Sequence, residues 1–150
     1  MIFVGSDHAG YRLKREIIKY LESRDLSFKE YGCIDGSPYD YPLAAEDACR
    51  AFLENKESFS EKSTSFVILV CGTGIGISMA ANKIKGIRAA LVTDAFTAEM
   101  ARLHNNANCI CLGERVTGVG VAISAVEKYL STDFEGGRHE RRVNQIMGLE

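Results

Sequence analysis

The chain has 150 residues, of which 46% are hydrophobic and 25% charged, and a formal net charge of -2 at pH 7. That length suits one domain able to bury roughly 70% of the surface its unfolded chain would expose. A pI near 6.0 gives no basis for nucleic acid or an acidic membrane as partner. No apolar run approaches the roughly 20 residues needed to cross a bilayer.

MIFVGSDHAG at the start lacks the charged region and cleavage-like site of a signal peptide and goes straight into a strand, Ile2 to Gly5. A helix near Tyr11 to Arg24 follows, with Leu13, Ile17, Ile18 and Leu21 at helical spacing and basic residues on the other face. Leu26 to Tyr31 alternates weakly and reads as a second strand, and Gly32 to Pro42 is turn-rich, which places Tyr41 in a loop. Leu43 to Leu53 reads as a helix, and the polar, serine-rich Glu54 to Thr64 as a surface excursion.

Ser65 to Val70 is a buried strand that delivers Cys71 to the glycine-rich GTGIG of Gly72, Thr73, Gly74, Ile75 and Gly76, with a helix starting around Gly76 to Ser78. Arg88 to Val92 and Asn108 to Leu112 read as strands, Ala95 to Leu103 and Gly118 to Leu130 as helices. The tail, Ser131 to Glu150, carries a turn and a last helix from about Arg138. Strands alternating with helices predict an α/β protein: a three-layer, Rossmann-like fold with a five-stranded parallel sheet flanked by helices. The whole of 1–150 reads as a single domain.

The five cysteines (33, 49, 71, 109 and 111) form no C-x-x-C pair, which argues against structural disulfides and a zinc site and fits a reducing cytosol. Cys109 and Cys111 alternate within their run and are expected on opposite faces of the strand. Four of the five read as small buried hydrophobes. Cys71 is different, because a strand ending in a loop that opens a helix offers unpaired N–H groups and a positive dipole end, where an anion and hence a thiolate is favoured.

Ligands of such sheets sit beyond the carboxyl ends of the strands. Asp7 and His8, Tyr41, Cys71, Asp94 and Arg115 all fall at such ends. GTGIG alone is a weak signal: it is neither the dinucleotide fingerprint nor a P-loop. Asp7 could equally cap the first helix, His104 could complement a helix end, and Arg138, His139, Arg141 and Arg142 could be a solvated face. Arg138 and Arg142 lie four apart, as a phosphate clamp on one helix face would. The three histidines (8, 104 and 139) have no metal-ligand spacing.

In combination, GSDHAGYRLK, DYP at Asp40 to Pro42, CGTGIGISMAANK, GIRAAL, HNNAN at His104 to Asn108, LGERV and EGGRHERR resemble the ribose-5-phosphate isomerase B family. The broader group includes galactose-6-phosphate isomerase subunits. The resemblance covers almost the whole chain. It implies an isomerase of ribose 5-phosphate and ribulose 5-phosphate in the non-oxidative pentose phosphate branch, cytoplasmic, without metal or cofactor. It also implies a homodimer or homotetramer whose active sites are shared between subunits, so that the tail 131–150 packs on or reaches into a neighbour.

By the same resemblance, Cys71 is the base that moves a proton between C1 and C2. A branch lacking this cysteine uses a glutamate at the position of Ile77. His104 is the ring-opening acid, helped by Thr73. Asp7 and His8 bind sugar and phosphate, and Gly72 to Gly76 hold the developing oxyanion. Asn105, Arg115, Arg138 and Arg142 are further ligand contacts. One departure is a connection from Glu54 to Thr64 longer than usual in the family.

An enediolate needs fixed donors around its charge more than it needs a metal, which agrees with these residues. The same chemistry on a six-carbon sugar phosphate, a silent sugar-phosphate or nucleotide sensor, and a thiol oxidoreductase are the alternatives. Cys71, Thr73 and His104 together weigh against a sensor, and the absence of a nearby resolving cysteine weighs against a redox enzyme.

Overall fold

The computed structural model describes residues 1–55 and 65–150; of the expected surface excursion Glu54 to Thr64, residues 56–64 lie outside them. In chain order the elements are β1 (Ile2–Ser6), a 3-10 turn (His8–Gly10), α1 (Tyr11–Ser23), β2 (Phe28–Gly32), α2 (Tyr41–Glu54) and β3 (Phe66–Cys71). Then come α3 (Ile75–Ala81), β4 (Ala89–Leu91), α4 (Ala95–Leu103), β5 (Cys109–Gly113), α5 (Val119–Ser131) and α6 (Arg138–Met147).

The five strands form one parallel sheet in the order β2-β1-β3-β5-β4. The chain steps one way from β1 to β2, crosses to the other side of β1 for β3 and on to the far edge for β4, and then turns back to lay β5 between β3 and β4. The reversal falls between β1 and β3, and the carboxyl ends of strands at such a reversal are where ligands of open sheets bind.

Alternation along the strands sorts the core into two layers. Ile2, Val4, Ile68, Val70, Ile110 and Leu112 pack with α1, α4 and α5. Phe3, Val67, Leu69, Cys71, Cys109 and Cys111 pack with α2 and α3 on the other face. Cys109 and Cys111 therefore share a face, with sulfurs 4.0 Å apart, contrary to the expectation of opposite faces. Residues two apart on a strand point the same way. All five cysteines are free and buried.

Three boundaries differ from the sequence reading. Leu26 closes α1 instead of opening β2: its N–H donates to the Leu21 carbonyl across Asp25, which takes φ +53°. Tyr41 is the first residue of α2 and not a loop residue, with Pro42 in the first helical turn. Proline's fixed φ favours that position, so a turn signal was in fact a helix start. Glu54, read as part of the excursion, ends α2.

Lys14 is fully buried between α1 and β2, where it pairs with Glu30 at 2.8 Å and donates to the carbonyls of Tyr31 and Cys33. Removing the ammonium would strand a carboxylate and two carbonyls. Lys14→Met is expected to lower the unfolding free energy by about 3 kcal/mol, read from a chemical denaturation midpoint. An unchanged midpoint would contradict this account of the β2 edge.

Candidate active site

The carboxyl ends of β1 and β3 supply the first half of the site. Asp7 is buried and caps the 3-10 turn, its Oδ1 accepting the Gly10 N–H at 2.9 Å. Burial pushes its carboxyl above the usual carboxylate range, opposed by the Gly10 bond and the nearby His8 charge. His8 is exposed, and its Nδ1 lies 3.2 Å from both the backbone N and O of Tyr39, which pins the ring to the β2–α2 connection. Gly10 lets this turn lie on the end of β3: a Cβ there would stand 2.5 Å from the Val70 carbonyl.

Cys71 ends β3 only 4% exposed, and its Sγ accepts the Gly74 N–H at 3.1 Å. That bond turns the loop back over the sulfur, and Gly74 makes the bend at φ +77°, where a side chain would also strike Leu91 and the end of β5. Thr73 is exposed at the tip, its Oγ1 accepting the Ile75 N–H at 3.3 Å. The first i to i−4 bond is Ser78 N–H to the Gly74 carbonyl. The N–H groups of Gly76 and Ile77, in the first turn of α3, therefore precede the helical ladder. With only seven residues in α3, the anion-favouring field rests on these loop donors more than on a long dipole.

Two further predicted residues join this edge. A Cβ on Gly76 would meet the Tyr41 ring at 2.8 Å, so the start of α3 slides directly beneath that ring. A Cβ on Gly72 would lie 3.3 Å from the Arg115 guanidinium and 3.5 Å from Ala9, so Gly72 sits between them. Arg115 N–H donates to the Gly72 carbonyl and Glu114 N–H to the Cys71 carbonyl, which fastens the β5–α5 turn to the cysteine loop. The Glu114 carboxylate accepts the Leu13 N–H of α1 at 3.0 Å. Sequence spacing missed that tie, because it joins residues far apart in the chain. Asp94, grouped with the strand-end residues, is committed elsewhere: it caps α4 through the Thr97 N–H at 2.8 Å, and that bond holds its carboxyl below the usual range.

His104, Asn105, Arg138 and Arg142 do not join this cluster. His104 caps the carboxyl end of α4, which runs back to the start of β5. Cys71 pairs with Gly113 at the other end of that strand. The four steps of β5 alone separate the two edges by ~13 Å.

The turn after His104 is rigid. Asn106 takes φ +47°, its carbonyl accepts two bonds from Arg88, and the buried Arg102 reaches both its side chain and the Ala107 carbonyl at 2.8 Å. The His104 and His139 rings stack 4.2 Å apart and nearly parallel. His139 is buried, and burial, then the His104 charge, hold its pKa below the ordinary histidine value. Arg138 and Arg142 are exposed at the start of α6.

The sequence reading found no histidine cluster, yet the donor atoms of His104, Glu135 and His139 lie within 4.8 Å of one another. Folding brings α4 and the tail together, which local spacing cannot show. The set is a poor chelate even so, because parallel rings aim their lone pairs side by side and the Arg138 Nε stands 3.4 Å from His139 Nε2.

A doubly wound α/β protein holding a thiol under loop N–H groups at its switch point, with imidazole and guanidinium nearby, has the form of an enzyme for a small anionic substrate. Comparison with known proteins narrows that class. The Ribose/Galactose Isomerase family matches residues 2–146. A probable ribose-5-phosphate isomerase B of Mycoplasma pneumoniae is 42% identical over 150 residues, covering 99% of this chain and 94% of that one. The structure of Clostridium thermocellum ribose-5-phosphate isomerase B superposes with a TM-score of 0.89 at 42% identity, covering 99% and 95%. That of Mycoplasma genitalium ribose-5-phosphate isomerase B with bound ribulose-5-phosphate gives 0.86 at 39% identity, covering 99% and 94%. The chain belongs to the ribose/galactose isomerase family.

Proposed function

We infer that this chain interconverts D-ribose 5-phosphate and D-ribulose 5-phosphate through an enediolate, with Cys71 as the proton-transfer base. The observation that carries this reading is the Cys71 sulfur held by the Gly74 N–H at 3.1 Å beside a loop of backbone donors. A thiolate there takes the C2 proton of the open-chain aldose, and negative charge develops on O1. Within Gly72 to Gly76, the N–H groups not donating to Cys71 or Thr73, those of Gly72, Thr73 and Gly76, are suited to hold that charge. Return of the proton to C1, with the O2 hydroxyl proton passing to O1, gives the ketose. Relatives of 39% to 42% identity bearing this activity in their names support the substrate.

His104 serves as the acid that opens the furanose ring, helped by the Thr73 hydroxyl. Asp7, His8, Tyr41, Asn105 and Arg115 contact sugar or phosphate, and Arg138 and Arg142 clamp the phosphate. Placing His104 and the arginines at the opposite sheet edge from Cys71 supports a site completed by a second copy of the chain. The apolar side chains around α2 and α3 favour the same arrangement: Ile34 is 68%, Leu43 52% and Met79 64% exposed. On this reading residues 1–150 form one isomerase domain, assembled as a homodimer or homotetramer. Among the described residues no helix is long and apolar enough to cross a membrane, and five free thiols favour the cytoplasm.

The test is ketose formation by the purified protein from ribose 5-phosphate, with galactose and allose 6-phosphates alongside. Turnover confined to a six-carbon substrate would keep the mechanism and change the sugar. Arg142→Ala is expected to raise KM for ribose 5-phosphate about tenfold or more with little change in kcat, since the phosphate does not react. A large kcat loss at unchanged KM would remove Arg142 from the phosphate site.

A further inference from the structure

We propose that Glu135 is a positioning residue for the ring-opening step: it fixes the His104 imidazole against His139 and presents it to the sugar. The inference deepens the reading of His104 above and rests on it. Glu135 is tied twice to the end of α4. Its backbone N–H donates to the carbonyl of Leu103, the residue before His104, at 3.0 Å. Its Oε2 lies 3.8 Å from His104 Nε2 and 3.2 Å from His139 Nε2. One carboxylate oxygen therefore addresses both imidazoles of the stack.

The two rings are not equivalent. His139 is the inner ring, with its side chain 9% exposed, whereas that of His104 is 37% exposed. Parallel rings 4.2 Å apart disfavour two positive charges. The charged groups around the inner ring are Glu135 ahead of α6, Arg138 and Arg142 on α6, and His104 itself; burial, then the His104 charge, lowers the His139 pKa against the pull of Glu135. His104 is the ring that solvent and substrate reach, with the Glu135 carboxylate beside it. His139 acts as a flat platform that fixes the ring plane, and Glu135 fixes its in-plane rotation. A general acid held in one orientation needs no search for its proton acceptor.

The chemistry of the two sugars separates this role from a structural one. Ribose 5-phosphate is a furanose in solution and must be opened. Ribulose 5-phosphate stays acyclic, because the hydroxyl that would close its five-membered ring carries the phosphate. The experiment measures two rates for wild type, Glu135→Gln, Glu135→Asp and His104→Asn: turnover of ribose 5-phosphate across pH, and exchange of the C1 hydrogen of ribulose 5-phosphate with deuterated water.

For Glu135→Gln the expected result is about a tenfold or greater loss of kcat on ribose 5-phosphate, a displaced pH profile, and C1 exchange within about twofold of wild type. Glu135→Asp should recover part of the loss. Equal losses in both assays would mark Glu135 as merely structural and overturn the proposal, as would wild-type turnover in Glu135→Gln while His104→Asn is impaired. If His104→Asn itself slows both assays alike, or neither, the reading of His104 as ring opener fails instead. A wild-type protein inactive on both sugars would sink the isomerase reading beneath it.

Discussion

Cys71→Ala is expected to lower kcat for ribose 5-phosphate by about a thousandfold or more while leaving the protein folded. The size of the effect follows from the role proposed for the sulfur. Proton abstraction beside a carbonyl needs a positioned base, and such a base contributes roughly 10²- to 10⁴-fold. Ile77 stands where a carboxylate would serve in the alternative branch, and its side chain is fully buried and apolar. No substitute base therefore waits at that position.

The structural cost of the change is small by comparison. Alanine keeps the Cβ at the end of β3 and loses one sulfur that contacts the Gly74 N–H. That amounts to about 1 kcal/mol, against a total stability of about 5–15 kcal/mol for a domain of this kind. Unchanged circular dichroism with lost turnover would establish the catalytic assignment. Turnover near wild type in the folded variant would remove Cys71 from the mechanism.

A second large effect comes from mixing two inactive proteins. Cys71 and His104 lie toward opposite ends of β5, and on the proposed reading a complete site takes one from each of two copies. A mixed dimer of Cys71→Ala and His104→Asn chains would concentrate both lesions in one site and leave the other intact. If subunits exchange at random from equal amounts, half the dimers are mixed and each holds one working site of two. The mixture should then recover about a quarter of wild-type activity, measured after exchange under mild denaturant. Activity no greater than the sum of the parents would place the two residues in separate, self-contained sites.

The fold was largely legible because its signals are local. The apolar run Ile2 to Gly5, the helical spacing of Leu13, Ile17, Ile18 and Leu21, and the fourth helix at Ala95 to Leu103 all fall where the periodicity placed them. Strand order was not legible, since inserting β5 between β3 and β4 depends on pairings between distant segments. The cysteine loop was readable from a strand meeting glycines, and the structure adds the Gly74 N–H bond that defines it.

The second cluster was the harder part. His104 and the arginines stood out as residue types, but nothing in their spacing told which sheet edge they occupy. Glu135 and Glu114 went unnoticed because each acts across a long stretch of chain, one on Leu103 and the stacked imidazoles, the other on Leu13. A Glu135 to His139 pairing at helical spacing was the one local hint available.

The most direct measurement of the central claim is to incubate the wild-type protein with ribose 5-phosphate in deuterated water and follow the sugar by NMR. The account predicts ribulose 5-phosphate, with deuterium entering at C1 as the Cys71 thiol proton exchanges with solvent during reversible turnover. A folded protein that forms no ketose, and exchanges no carbon-bound hydrogen of either sugar, would contradict it.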